Sequence, residues 1–135
     1  MKNRFAQIGR EGDAMIYIDV KDSRPIYEQI VEKTRMLILR GVIRKDEKLP
    51  SVRNMAVELS INPNTIQRAY GELERLGYIY TVKGKGNFAS GKESLLMEYR
   101  KELLDKITQT SELAFSIGVT EKELTEAVLA AEGRA

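Results

Sequence analysis

The sequence contains neither cysteine nor histidine. Without cysteine, the chain has no disulfide framework and no thiolate ligand for a metal. Without histidine, it lacks the commonest general base and the commonest imidazole ligand, so Ser/His and Cys/His arrangements for nucleophilic catalysis are excluded. No pair of carboxylates suggests acid/base chemistry either. The composition therefore argues against an enzyme and predicts neither a cofactor nor a metal site.

Long apolar segments are also missing. No run approaches the roughly 18 to 20 residues that a membrane-spanning helix needs. The N-terminal segment MKNRFAQIGREGDAM carries charges throughout and has no apolar core of signal-peptide length. With 42% hydrophobic and 31% charged residues among 135, the composition is that of a globular protein. We expect a soluble cytoplasmic protein made of one compact domain and an appendage.

The net charge of +2 hides an uneven distribution. Residues 1–90 contain 16 Lys/Arg against 11 Asp/Glu, whereas residues 91–135 contain 6 against 9. A basic segment joined to a mildly acidic one suggests that the first meets a polyanion and the second has another task.

Hydrophobic periodicity predicts the order of elements in the first part of the chain. Ser51 and Asn62 are predicted N-caps, Asp22 or Ser23 is predicted to cap an earlier helix, and Pro63 suits a first helical position. The predicted elements are a flexible arm at 1–14, a strand within 15–20, helices at about 25–40, 51–59 and 62–76, and a hairpin within 78–90.

The last part, residues 91–135, reads as two helices. Apolar residues recur three or four positions apart from about residue 93 to 117, and a capping box of Thr120 and Glu123 begins another helix. Two antiparallel helices cannot enclose a core, so their apolar stripes must bury against the first domain or against a second copy of the chain, which we favour. The residues predicted to form this dimer contact are Leu96, Tyr99, Leu103, Ile107, Leu124 and Val128.

The helix beginning at Asn62 carries a polar stripe opposite its apolar face. Asn64, Gln67 and Arg68 lie near its N-terminal end, and Gly71 follows one turn later. An ordinary amphipathic helix would simply expose such a face to solvent. However, Asn, Gln and Arg can form paired hydrogen bonds with base edges, and a glycine in mid-helix is costly unless something approaches closely. A short helix before it and a basic hairpin after it predict a winged helix-turn-helix.

The hairpin turn KGKG, Lys83 to Gly86, could also be read as a phosphate-binding loop. A P-loop requires a strand before it and a helix after it, whereas this turn is followed by a second strand. In a winged domain, Lys83 and Lys85 would meet phosphates and the glycines would let the backbone approach DNA. A plain charged turn is the remaining alternative.

Residues 24–90 strongly resemble the DNA-binding domain of GntR-type bacterial transcriptional regulators. The segments that carry the resemblance are LPSVRNMA, NPNTIQRAYGELERLGYI and KGKGNFA. The short two-helix tail resembles that of the YtrA branch, whose C-terminal part is a dimerisation element. The resemblance implies a mainly α fold with a small β component: a winged helix-turn-helix domain at 15–90, followed by an antiparallel two-helix dimerisation hairpin at 91–135.

The resemblance also places DNA-contacting residues. Arg53 occupies a position whose arginine contacts DNA, and Gln67 stands where several relatives carry a base-reading arginine, which favours an adenine in the operator. Pro63 replaces a residue that is basic in some relatives, so the operator sequence stays open. The predicted DNA-binding residues are Ser51, Arg53, Asn62, Asn64, Thr65, Gln67, Arg68, Lys83, Gly84, Lys85 and Gly86.

The implied function is that of a homodimeric regulator that binds a palindromic operator as a repressor, in a branch that often controls ABC-transporter genes. An alternative is a sensor that releases DNA when a small-molecule effector binds at the tail interface, for which Thr108, Thr110 and Ser111 are the polar candidates. An adaptor that has lost DNA affinity is a third possibility, and the intact basic set argues against it.

Overall fold

The computed structural model describes residues 4–8, 14–19 and 21–134, and it divides the chain into two compact units, Met1–Leu95 and Leu96–Ala135. The fold is mainly helical with two antiparallel two-stranded sheets, which confirms the predicted fold class. The elements are β1 (Arg4–Ile8), β2 (Ala14–Ile18), α1 (Ile26–Leu39), α2 (Val52–Leu59), α3 (Pro63–Arg75), β3 (Ile79–Val82), β4 (Gly86–Ala89), α4 (Leu95–Ser116) and α5 (Glu121–Ala131).

The prediction of a flexible arm at residues 1–14 is wrong where the structure describes that segment. β1 pairs with β2 in antiparallel register, and its alternate side chains Ala6 and Ile8 are buried. The rest of the predicted arm, residues 1–3 and 9–13, lies outside the described residues. The strand was missed because its alternation contains only a few apolar residues, and it becomes favourable through burial against elements distant in sequence.

α1 begins and ends close to the predicted bounds, but its predicted N-caps are wrong. Pro25 occupies the N-cap position and makes no side-chain capping bond. Asp22 instead accepts hydrogen bonds from the backbone and side chain of Arg24, with a shortest distance of 2.6 Å. These bonds lower the pKa of Asp22 to about 2. Since its carboxylate is used by this local turn, it is not available to cap the helix.

One apolar cluster holds α1, α2 and α3 together. The face of α3 contributes Ile66, Ala69, Tyr70 and Leu73, all buried, and Tyr78 follows the helix into the same cluster. Burial of an Ile or Leu side chain contributes roughly 1.5–3 kcal/mol. The apolar face predicted for α3 therefore packs into the core of the first unit.

α1 buries polar side chains that its periodicity did not predict. The side chain of Gln29 donates to and accepts from the backbone of Asp19, at 3.1 Å in both directions, which ties β2 to α1. Arg35 is 2% exposed, lies 3.3 Å from a carboxylate oxygen of Glu32, and places its guanidinium 5.0 Å from the centre of the Tyr78 ring. α1 is thus linked to its neighbours by polar contacts as well as by apolar burial.

The turn between α2 and α3 depends on a left-handed residue. Ser60 ends α2 with φ 53° and ψ 47°, and its backbone N–H reaches back to the last turn of the helix. Asn62 then caps α3 by accepting a hydrogen bond from the N–H of Asn64, with Pro63 at the first helical position as predicted. The two helices are therefore connected by three residues, Ser60 to Asn62.

The second unit contains the remainder of α4 and all of α5. The predicted capping box is confirmed, because Thr120 and Glu123 exchange side-chain and backbone hydrogen bonds at the start of α5. Gly118 has φ 91° and follows the end of α4, as predicted for a terminating glycine. Among the described residues, every helix is too short or too polar to cross a membrane.

Ser60→Gly is expected to raise the free energy of unfolding by up to about 1 kcal/mol, because glycine adopts the left-handed conformation without the steric cost that an L side chain carries. Ser60→Val is expected to lower it by about 1–2 kcal/mol, since a branched Cβ is poorly tolerated there. Urea unfolding measures both. The control is Ser23→Gly, at an exposed position without positive φ. An equal increase in the free energy of unfolding of Ser23→Gly would show that the left-handed conformation of Ser60 is not the cause.

Candidate nucleic-acid interface

The start of α2 is fixed to α3 by a buried tyrosine. Tyr70 is 2% exposed, and its hydroxyl donates to the carbonyl oxygen of Pro50 at 2.7 Å. Burial raises the pKa of Tyr70 well above its usual range, so the hydroxyl remains protonated and able to donate. Ser51, the next residue, accepts from the N–H of Asn54 at 3.0 Å and caps α2 as predicted.

Arg53 lies in the first turn of α2, with an exposed side chain that has no hydrogen-bond or ion-pair partner among the described residues. Since the capped N-terminus of α2 is held against α3, the position of Arg53 relative to α3 is also fixed. An unpaired guanidinium on a rigid helix start is well suited to meet a phosphate.

The first two turns of α3 present the predicted polar side chains. Asn64 and Gln67 are exposed, Thr65 is half-buried, and Asn62 is exposed with its side-chain oxygen engaged in the cap. The side chain of Gln67 makes no hydrogen bond to another described residue, so both its donor and its acceptor are available. This is the arrangement that a helix entering the major groove of DNA requires.

The two arginines of α3 differ in what they contact. Arg75 binds the Glu72 carboxylate through two hydrogen bonds, of 2.9 and 2.5 Å. The hydrogen bond from Arg75 lowers the pKa of Glu72. Arg68 instead lies over the ring of Tyr27 on α1, 3.8 Å from the ring centre. This contact joins two elements and was not predicted.

The hairpin of β3 and β4 forms the predicted wing. Lys83 and Lys85 are exposed in its turn, and Gly84 has φ 77°. Gly86 has φ 127°, and a Cβ built there would lie 2.9 Å from Cε of Lys48. Lys48 was not among the predicted residues, yet it adds a third exposed lysine side chain at the wing.

The wing is anchored to the segment before α2. The hydroxyl of Tyr80 donates to the Asp46 carboxylate at 2.7 Å, a bond that raises the pKa of Tyr80, and the rings of Tyr80 and Phe88 stack with centres 5.6 Å apart. The backbone N–H of Leu49 donates to the carbonyl of Asn87 at 2.9 Å. The short segment that begins at Asp46 therefore contacts the wing and leads directly into α2.

The structure thus places all the predicted DNA-binding residues in the first unit, on three connected parts: the start of α2, the start of α3 and the wing turn. Most of their side chains are exposed, and no group of acidic residues in the described part of the chain could hold a metal ion. Sequence reasoning missed Tyr27, Lys48 and the Tyr70 hydroxyl bond. Of these, only the last had a signal, since a buried tyrosine hydroxyl usually has a partner.

The sequence of this chain is similar to those of known proteins. The model of the family "Bacterial regulatory proteins, gntR family" matches residues 26–88. The HTH-type transcriptional repressor YtrA of Bacillus subtilis is 42% identical over 99 residues, which cover 67% of this chain and 76% of that protein.

Solved structures are similar as well. The crystal structure of a transcriptional antiterminator from Listeria monocytogenes EGD-e has a TM-score of 0.64 at 37% identity, covering 91% of this chain and 92% of that one. YtrA from Sulfolobus acidocaldarius, described as a GntR-family transcription factor, has a TM-score of 0.57 at 30% identity, covering 69% and 97%.

Gly71→Ala tests whether DNA approaches α3 closely. Apart from the chain neighbours of Gly71 and the nearby backbone of α3, no atom of the described residues lies within 4 Å of a Cβ built there, so the free protein has room for a methyl group. Alanine is therefore expected to raise the free energy of unfolding by about 1 kcal/mol. We expect DNA binding to weaken at the same time, because the methyl group would meet the DNA. Urea unfolding and an electrophoretic mobility shift measure the two effects; greater stability with unchanged DNA binding would show that nothing approaches there.

Proposed function

This chain is a DNA-binding transcriptional regulator of the gntR family, of the YtrA type, and we propose that it acts as a repressor that binds a palindromic operator as a homodimer. The observation that carries the proposal is that Arg53 and Gln67 are exposed, without a partner in the described part of the chain, on two helices that Tyr70 fixes to each other. One side chain is suited to a phosphate and the other to a base edge.

The division of roles follows from side-chain chemistry. The guanidinium of Arg53 can bind a phosphate oxygen in DNA of any sequence. It therefore contributes to affinity and to the register of the protein on the duplex. Gln67 can donate to and accept from the same adenine, and therefore contributes discrimination. Lys83 and Lys85 on the wing add contacts with the flanking backbone. Each phosphate contact should make the affinity more sensitive to salt.

The surface of the second unit supports dimerisation. Leu96 is 52% exposed, Leu103 40%, Ile107 54% and Val128 59%, whereas Tyr99 and Leu124 are half-buried. α5 contributes no buried residue. Apolar residues exposed on this scale along a helix indicate a missing partner surface. A second copy of the chain is the proposed partner, because a twofold dimer presents two α3 helices, and half-sites one helical turn apart need them ~34 Å apart.

The resemblance to the YtrA branch further suggests an ABC-transporter operon as the target. In this proposal the regulator has no catalytic role and requires no cofactor. Its output is occupancy of the operator, which is set by the concentration of the dimer and by the contacts described above.

The roles of Arg53 and Gln67 are tested on the DNA upstream of the protein's own gene. Arg53→Ala should weaken binding to every sequence and reduce the slope of log affinity against log salt by about 1, as loss of one phosphate contact implies. Gln67→Ala should mainly lose discrimination, by about 1–3 kcal/mol between the preferred base and its competitors. Fluorescence anisotropy from about 50 to 200 mM salt measures both quantities.

The control for that experiment is Lys122→Ala, which removes one positive charge from an exposed position on α5. It should leave the salt slope unchanged. If all three variants bind like the wild type, neither Arg53 nor Gln67 contacts DNA.

Dimerisation is tested with Ile107→Glu. A charge placed on the exposed apolar stripe of α4 would be desolvated in the dimer, so the variant is expected to be monomeric. Its affinity for a two-half-site duplex should fall sharply. Sedimentation velocity measures the mass. The matched control is Gln109→Glu, two residues later and on the opposite side of the helix, which should remain dimeric. A wild type that sediments as a monomer would refute the proposal.

A further inference from the structure

Arg68 is the exposed cation of α3 that sequence reasoning assigned to DNA, yet the structure gives it a partner on another helix. Its guanidinium carbon lies 3.8 Å from the centre of the Tyr27 ring. Tyr27 stands in the first turn of α1, is half-buried, and packs against the apolar cluster of the first unit. Its hydroxyl also donates to the carboxylate of Glu28 at 3.3 Å. The ring is held by its packing against this cluster, and Arg68 lies on its face.

An acidic partner for Arg68 is close but already engaged. Glu72 lies one turn further along α3, at the i+4 position where an ion pair ordinarily forms. Both of its carboxylate oxygens accept from Arg75, at 2.9 and 2.5 Å. Arg68 contributes to the lowered pKa of Glu72 only through a small charge effect, behind the hydrogen bond from Arg75. The Glu72 carboxylate, which could have formed an ion pair with Arg68, is thus already bound to Arg75.

Stacking leaves the hydrogen-bonding capacity of the arginine intact. A guanidinium contacts an aromatic ring through its face, whereas its five N–H donors point outward in the plane of the group. The ring therefore restricts the long side chain without occupying a donor. By contrast, an ion pair with Glu72 would have restricted the side chain and also used its donors.

The contact with Tyr27 places the guanidinium of Arg68 beside α1, on the flank of α3. The DNA groups that flank a helix lying in the major groove are phosphates, which an arginine can bind with two parallel hydrogen bonds. We propose that Tyr27 is a positioning residue that holds Arg68 ready to bind a backbone phosphate beside the groove that α3 enters. This inference rests on the proposed function, since it requires α3 to lie on DNA.

The test uses the full-length protein and a duplex that the wild type selects from a library of random sequences. Arg68→Ala is expected to reduce the salt slope by about 1. Tyr27→Leu, which keeps apolar volume but removes the ring, is expected to weaken binding about 2- to 5-fold, as loss of an exposed cation–π contact implies. Tyr27→Phe keeps the ring and should bind like the wild type.

The double variant separates positioning from a structural role. If Tyr27 acts through Arg68, Tyr27→Leu should have no further effect on DNA binding in the Arg68→Ala background. If the ring only joins α1 to α3, the fold-loss will be the same in both backgrounds, and the inference is overturned. Thermal unfolding of each variant checks folding, and Tyr27→Met replaces Tyr27→Leu if the latter does not fold.

DNA binding by Arg53→Ala and Lys122→Ala is measured on the same duplex. These variants distinguish failure of the proposed function from failure of this inference alone. A wild type that selects no duplex, or that binds without salt dependence, overturns the proposed function and this inference together. Suppose that binding depends on salt and weakens in Arg53→Ala, but not in Arg68→Ala or Tyr27→Leu. This result overturns only the proposed role of Tyr27 and Arg68. Lys122→Ala is expected to match the wild type throughout.

Discussion

The burial of one face of α3 is the constraint on which the rest of the structure depends. Ile66, Ala69 and Leu73 have no exposed surface, and the side chains of α1 and α2 complete the same cluster. Once this face is fixed against the core, the opposite face, with Asn64 and Gln67, is directed outward without any additional contact. Packing thus determines where the polar side chains of the helix point.

Burial also bears on which arginines have partners within the protein. On α1, the buried guanidinium of Arg35 is paired with the Glu32 carboxylate and lies near the Tyr78 ring. The guanidinium of Arg53 is left without a protein partner among the described residues. A buried charge must be compensated within the protein, whereas an exposed charge can remain available for another molecule.

Local signals were sufficient to predict the helices and most of their ends. Ser51 and the Thr120–Glu123 pair are capping residues whose hydrogen bonds reach only three positions along the chain, so they can be recognised in the sequence. β1 was missed because a strand of five residues is stabilised by a partner strand and by helices distant in sequence. The contact between Tyr27 and Arg68 was missed for the same reason: it joins positions whose proximity exists only after α1 packs on α3.

The hydrogen bond from Tyr70 to Pro50 has a consequence for the kinetics of DNA recognition. Because it fixes the start of α2 relative to α3 in the free protein, the two helices of the proposed interface would meet DNA as one rigid surface, and little conformational entropy would be lost on binding. Encounter with DNA then depends mainly on diffusion and on long-range charge, which are similar for all sequences. Differences between operators should therefore appear in how long the complex lasts rather than in how quickly it forms.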